Sequence, residues 1–528
     1  MSHHTTKNII IVGAGIGGLS AAIRLAAKGY HVHILERQSL VGGKLNQVLL
    51  EGFSFDTGPS LITMPDVFRD LFQSAQRRIE DYLELVPLAI TCRYFYRDGL
   101  VLNAWSDQPR LAREFAQLCP ADGDALQRFI AYAENIYQAA ADPFLYHSLG
   151  SPFDVMGTFV RYVMSGHPSS ATQEVQLRDD PSSVRSRLQA VLAALSPSTL
   201  DHLIRTFFTD KHLQQLFNRY ATYNGSSPYQ VASVYSIIPY VELISGGWYF
   251  KGGIYTLALA LEKLARELGV SITTDCDVRR ILVGHSEARG VVLADGRVLR
   301  ADVVIANSDV VTTHRELLSP AVRNERFVRR LEGLEPSCSG FVLMLGVNKR
   351  YLQLSHHNIF FSDDYRAEFA DLFGRHVPPG NPTIYICATS RSDATQAPEG
   401  HENLFVLVNA PYLTARSDWQ RDASAYRERV LDVLARYPRA GLEDLREHII
   451  CEVMLTPEDF WQKYGANRGS IYGLSSNSRM APFTRPGNRA REISHLYFVG
   501  GSTHPGGGVP LVMLSGKIVA ELVEIDEQ

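Results

Sequence analysis

The first forty residues alternate between runs that suit a buried sheet and a run that suits a helix. Ile9–Val12 is continuously apolar and β-branched, the pattern of a strand covered on both faces. Gly13 to Gly18 reads as a turn. Leu19 to Lys28 reads as a helix, with Leu19, Ile23 and Ala26 or Ala27 on one face and Gly29 at its C-terminal end. Val32–Leu35 is a second buried strand, which completes a βαβ unit of about thirty residues.

Arg93 to Leu102 alternates around Asp98-Gly99 and predicts a hairpin. From Gln108 to Phe159 the pattern is helical. Gln173 to Ser186 is polar and charged, and reads as a solvated or disordered insertion with no assigned function. Helical patterns resume at Leu188 and run past Phe217. Gly246 to Gly253 is aromatic and glycine-rich, and Ile254 to Leu268 predicts a helix that ends at Gly269. Ser271 to Thr274, Asp277 to Val283 and Gly290 to Val298 predict strands, the last with a turn at Asp295-Gly296. Ala301 to Ala306 is another buried strand, and Val310 to about Arg446 mixes helices and strands. Leu496 to Val499 is a late strand, followed by a Gly-rich turn and a helix from Pro510 to about Ile525.

This order predicts an α/β fold with a discontinuous Rossmann-like domain. Its pieces are 1–90, 250–310 and 484–528. The intervening 91–249 and 311–483 form a second, mixed α+β substrate domain with helical segments, interrupted by the insertion at 173–186.

Composition narrows the function. The 528 residues carry a net charge of −4, from 52 basic and 56 acidic side chains with no basic tract. That balance argues against a nucleic-acid partner, which needs a positive footprint. Six cysteines, none in a CxxC pair, predict reduced thiols, an intracellular setting and no metal site. The short polar stretch before the first strand leaves no room for a secretory signal. No apolar run reaches the ~18 residues a spanning helix needs, although a protein that lies on a membrane fits.

Gly13, Gly15 and Gly18 form GxGxxG between strand and helix, and Glu36 closes the next strand. Gly13 allows the tight turn, Gly15 a close approach to pyrophosphate, and Gly18 close helix–strand packing. The helix N-terminus faces the anion, and Glu36 can accept from both ribose hydroxyls. NAD and FAD remain open at this point. Gly42, Gly43 and Lys44 then supply close backbone approach and a cation near the pyrophosphate, and Phe53 to Ser60 continues with FSFDTGPS. At the other end of the chain, Gly500-Gly501 and the turn STHPGGGVP (502–510) make a second anion site at a helix start. It suits the edge of a flavin that gains negative charge on reduction. Both ends together point to FAD.

With these motifs in place, the sequence resembles the bacterial carotenoid desaturase and oxidase family of the phytoene desaturase type. The landmarks are IVGAGIGGLSAAIRLAAKGY, LVGGKLN, FSFDTGPSLITMP, WYFKGGIY, ADVVIANSDV and LYFVGGSTHPGGGVP. The resemblance implies FAD contacts at Gly13, Gly15, Gly18, Glu36, Lys44, Val278, Gly500 and Gly501, with the flavin ring near Gly58-Pro59 and Val509. It further implies a long acyclic polyene drawn from a membrane. That places the protein in the cytoplasm, peripherally on the inner face of the cell membrane, with membrane-facing helical segments and other enzymes of the pathway as possible partners.

Several stretches are most similar to the diapocarotenoid terminal oxidases, which convert end methyl groups towards aldehydes. They are PSCSGFVLMLGV, QLSHHNIFFSDD, NPTIYICATSRSDATQAPEG and TPEDFWQKYGANRGSIYG. STHPG, MPDVF and SIIPYVEL lean instead to the diapophytoene desaturases. A flavin amine oxidase shares the Glu36…Gly42-Gly43 pattern but handles a polar amine.

Three further expectations concern chemistry. His504, in the flavin-side turn, is the candidate proton acceptor. Tyr249 and Lys251 share a face of a short strand and line the substrate site. His356 and His357, adjacent on a strand, point to opposite faces and do not form a metal pair.

Overall fold

The computed structural model describes residues 7–148, 152–165, 184–478 and 481–527. Most of the 173–186 insertion lies outside them; its last three residues open a helix, Val184–Ala194.

Five strands form one parallel sheet in the order Leu496–Phe498, Val303–Ala306, Asn8–Val12, His31–Leu35, Ser271–Thr273. Continuous apolar runs build it because helices cover it. Val303, Val304, Ile305 and Ala306 are all fully buried. The first helix, Ile16–Ala27, begins three residues earlier than its apolar face predicts. The turn therefore tightens at Gly15, and Gly17 and Gly18 belong to the helix. The last helix, Val509–Glu527, packs along the first, and Ser20 Oγ donates to the Met513 carbonyl at 2.9 Å. The predicted strand Gly290–Val298 is two strands, Glu287–Leu293 and Val298–Arg300, folded back at Asp295-Gly296 into a three-stranded meander.

A second sheet of seven strands runs Ile449–Leu455, Ser339–Val347, Glu402–Ala410, Ile384–Cys387, His357–Phe360, Ile90–Phe95, Val101–Trp105. It is antiparallel except where His357–Phe360 meets Ile90–Phe95. Every residue of Ser339–Val347 is buried, so this strand is covered on both faces. Helices gather beside it, among them Gln108–Leu118, Ala125–Ala141 and Leu200–Phe207. No helix among the described residues is long and apolar enough to cross a membrane.

Candidate active site: a cavity closed by both ends of the chain

The C-terminal ends of the parallel strands open into a cavity of about 830 Å³. This is where an open α/β sheet binds its ligand. Gly13, Gly15, Glu36, Gly43, Lys44, Gly58, Pro59, Val278, Gly500, Gly501 and Val509 all line it. Gly18 does not; it sits behind the turn, inside the first helix.

The turn is held from three sides. The Ala14 amide donates to Glu36 Oε2 at 2.7 Å, and the Gln38 amide donates to Glu36 Oε1 at 2.8 Å. Both carboxylate oxygens are thus oriented, and each keeps a lone pair for a further donor. The Gly42 amide donates to the Ala14 carbonyl at 2.8 Å, which presses the 42–44 loop against the turn. A Cβ at Gly15 would stand 2.7 Å from Asn307 Oδ1, so the backbone there approaches more closely than a side chain permits.

Lys44 differs from expectation in what it holds. Its ammonium donates to the carbonyls of Ser470 and Ile471 at 3.2 and 3.0 Å, and so pins that segment to the cavity wall. Burial pushes its pKa down to about 8, with nearby Asp309 opposing the shift.

Three residues that sequence reasoning missed hold these turns, and the first of them joins the chain ends. Asn307 Nδ2 donates to the Val499 carbonyl at 3.0 Å, while its Oδ1 faces Gly15 and Gly18. Its signal was available, since it directly follows the buried run ADVVIA. Ser515 Oγ accepts from the Gly500 amide at 3.1 Å and donates to the His504 carbonyl at 2.9 Å. Arg485 donates to the Gly501 and Leu474 carbonyls at 3.3 and 3.2 Å, and nothing local in the sequence marks it.

His504 lines the cavity. Its Nε2 donates to the His147 carbonyl at 2.9 Å, which leaves Nδ1 with the lone pair. Burial, first, then the backbone bond and Arg485 set its pKa at about 3, so the imidazole is neutral and a weak proton acceptor at neutral pH.

Tyr249 and Lys251 do not line the cavity. The strand Gly247–Phe250 ends before Lys251, so the shared face is lost. Tyr249 is buried and donates to Asp393 at 3.2 Å, and Lys251 is an exposed partner of Glu84 at 3.1 Å.

The expected separation of His356 and His357 also fails. The strand begins at His357, with His356 in the loop before it, and the two rings lie 4.4 Å apart. Cys387, the cross-strand partner of His357, completes a group whose ligand atoms lie within 4.8 Å of one another. Ser392 bonds His356 Nδ1 at 2.8 Å and Tyr385 bonds His357 Nδ1 at 2.7 Å. Burial lowers both imidazole pKa values, His356 to about 3, and raises that of the thiol. Without a metal the rings are therefore neutral and the thiol protonated; a bound metal would displace the thiol proton.

Glu368 lies just behind the cavity wall. Ser362 and Thr383 hydroxyls both donate to its Oε2 at 2.7 Å, and its Oε1 has no partner. Desolvation outweighs these bonds and raises its pKa from 4.5 to about 7. Between those values the folded protein holds a proton that the unfolded chain has lost, so this group costs stability as pH rises. Glu368→Gln removes that cost. The stability gap between variant and wild type should move in the variant's favour by roughly 3 kcal/mol between pH 4.5 and pH 8. Denaturant titrations at both pH values read it, and a gap independent of pH refutes the assignment.

The fold and this site define an FAD-dependent oxidoreductase. The residues fit the cofactor. The first helix has no side-chain cap at Gly15, so its leading amides face the cavity free for a phosphate, beside the oriented Glu36 carboxylate. When bound, FAD accepts a hydride equivalent from the substrate.

The chain belongs to the flavin containing amine oxidoreductase family, whose model matches residues 16–524, and within it to the carotenoid oxidase and desaturase group. It is 38% identical to the 4,4′-diapolycopene oxygenase of Methylomonas sp over 100% of both chains. It is 36% identical to the 4,4′-diaponeurosporene oxygenase of Staphylococcus haemolyticus, covering 98% of this chain and 97% of that one. Among solved structures it resembles cyclohexylamine oxidase from Brevibacterium oxydans, at 17% identity and a TM-score of 0.59, covering 99% of this chain and 100% of that one. An oxidoreductase from Methanosarcina mazei matches at 18% identity and a TM-score of 0.59, covering 97% and 100%. At such identities these structures speak for the fold alone.

Proposed function

We propose that the protein oxidises the terminal methyl groups of a long acyclic carotenoid towards aldehydes. The observation that carries this reading is the end-to-end similarity to diapolycopene and diaponeurosporene oxygenases. The cavity supports it, because beyond the glycine turns its wall includes Phe144, Leu145, Ile238 and Val241, which suit a hydrocarbon and exclude water. In this reading Gly13, Gly15, Glu36 and Gly43 hold the dinucleotide, and the Gly500-Gly501 turn and Val509 border the flavin. Gly18 acts by packing, and Lys44 by fixing the 470–471 segment. The pieces 1–90, 250–310 and 484–528 then serve the cofactor and the remainder the substrate. Expression in a host supplied separately with diapophytoene and diapolycopene tests the reaction. A polar aldehyde from diapolycopene is expected. A longer conjugated hydrocarbon from diapophytoene would make the protein a desaturase, and peroxide release with amines an amine oxidase.

The same reading places the protein peripherally on the inner face of the cell membrane, where its substrate lies. Two neighbouring helices support it. On Pro152–Ser165, Met156, Val160 and Met164 recur every fourth residue, and Met164 is 71% exposed. On Val184–Ala194, Val184, Leu188 and Leu192 do the same, and Leu192 is 60% exposed. The buried side of this pair reaches the cavity, since Phe159 packs on Phe144 with ring centroids 5.9 Å apart. An apolar stripe on water-facing helices is what docks into a bilayer surface. The wild type should float with liposomes, whereas Val160→Glu/Leu192→Glu should lose at least tenfold in binding, since each apolar side chain contributes about 1.5–3 kcal/mol. Equal flotation of both proteins refutes this face.

A further inference from the structure

The cluster of His356, His357 and Cys387 has more donor atoms than its hydrogen bonds use. One ring nitrogen of each histidine and the sulfur of Cys387 lie within 4.8 Å of one another, and all three residues are buried. The sheet sets up two of them. His357 and Cys387 stand opposite each other on the antiparallel pair His357–Phe360 and Ile384–Cys387, so their side chains leave the same face. The third comes from the loop before the strand, where the Ala388 amide donates to the His356 carbonyl at 2.8 Å and fixes that residue beside them.

Each ring is held at one nitrogen. His356 Nδ1 bonds Ser392 Oγ at 2.8 Å, and His357 Nδ1 bonds the Tyr385 hydroxyl at 2.7 Å, which also meets Ser60 Oγ. Nε2 has no partner in either ring. Both hydroxyl oxygens can accept from Nδ1–H, and the lone pair then sits on Nε2. An outer partner on one nitrogen and a free lone pair on the other is how a metal-binding imidazole is oriented. In a dry wall, by contrast, two such lone pairs have lost their water for nothing.

The nitrogens are sealed, so no organic ligand reaches them, but an ion needs only the space between its own ligands. Three atoms within 4.8 Å of one another surround a point no more than about 2.8 Å from each, and zinc bonds of about 2.0–2.3 Å require the side chains to close by less than an ångström. Asp393 acts on His356 and Asp56 on Cys387, both in favour of a cation, while the Arg219 guanidinium opposes one at His357. Calcium and magnesium take oxygen ligands; two imidazoles and a thiolate suit zinc.

We propose that His356, His357 and Cys387 bind one zinc ion, which fastens the loop before His357 to the end of the strand Ile384–Cys387. The ion would stand at the cavity wall, since His357 and Tyr385 both line the cavity. As the zinc–sulfur bond forms, the thiol proton leaves to solvent, and no electron is transferred. The proposal is independent of the carotenoid reading, which stands whichever way the test falls.

The FAD-loaded protein is dialysed against zinc sulfate, freed of excess ion and assayed for metal by mass spectrometry. About one zinc per chain is expected. Cys387→Ser and His356→Gln should each weaken zinc binding by more than about tenfold, with thermal melts to show that both variants are folded. Loading with cobalt(II) should give a thiolate-to-cobalt charge-transfer band in the wild type that Cys387→Ser lacks. X-ray absorption of the zinc-loaded wild type needs no variant, and should show one sulfur and two imidazoles around the metal. A wild type that retains no zinc, binding undiminished in both folded variants, or a metal shell without sulfur overturns the site.

Discussion

Gly18→Val is expected to yield a protein that purifies without yellow colour. A Cβ at this position would stand 2.4 Å from the Gly13 carbonyl oxygen and 3.0 Å from Asn307 Oδ1. The first contact is with backbone, so no rotamer relieves it. The helix would have to withdraw from the turn, and the turn from the cavity. The Ala14 and Gln38 amides would then leave Glu36, and the junction through Asn307 to Val499 would open. Phosphate affinity here depends on the register of a few backbone amides, so a shift of about an ångström is enough to lose the cofactor. The ratio of flavin to protein absorbance should fall by at least tenfold relative to wild type. Flavin retention above half of the wild-type ratio refutes the assignment of this turn.

Gly516→Val should damage stability as severely, by a different route. Where the first and last helices cross, a Cβ at Gly516 would lie 2.5 Å from Ser20 Oγ, 2.6 Å from Ser20 Cβ and 2.8 Å from the Ala21 amide nitrogen. Both helices must separate. The Ser20 bond to the Met513 carbonyl is then lost, and buried neighbours such as Leu19, Ile23, Met513 and Ile518 come apart. Overpacking usually costs about 1–3 kcal/mol. Backbone contact and a broken buried hydrogen bond should bring this case to roughly 4 kcal/mol. Gly516→Ala should show a smaller loss of the same kind. Thermal melts of the FAD-loaded proteins check the order wild type, alanine, valine, and equal melting temperatures would contradict the tight crossing.

The sequence disclosed the parts of the fold that short-range physics controls. The run Ile9–Val12, the glycine turn and the helix after it are legible because period and turn chemistry are local, and the same holds at Leu496–Phe498 and the last helix. The partnership of these distant ends was legible only through the resemblance of both turns to flavin contacts. Errors arose where a boundary moved by one residue. A strand that ends at Phe250 separates Lys251 from Tyr249, and one that begins at His357 brings His356 to the same side. Arg485 and Ser515 carried no local signal at all. Their contacts follow from tertiary packing between loops and helices, which no periodicity records.

The order of the parallel sheet also sets a schedule for making the protein. Its strands at 8–12 and 31–35 emerge first, the strand at 303–306 well past the midpoint, and the strand at 496–498 almost last. At about 5–20 residues per second, the nascent chain waits on the order of half a minute or longer between the first glycine turn and the second. For the first part of that interval Asn307 is missing and the edge of the first strand is uncovered, and Gly500 is missing until its end. A cradle lined by both turns is therefore complete only when translation ends.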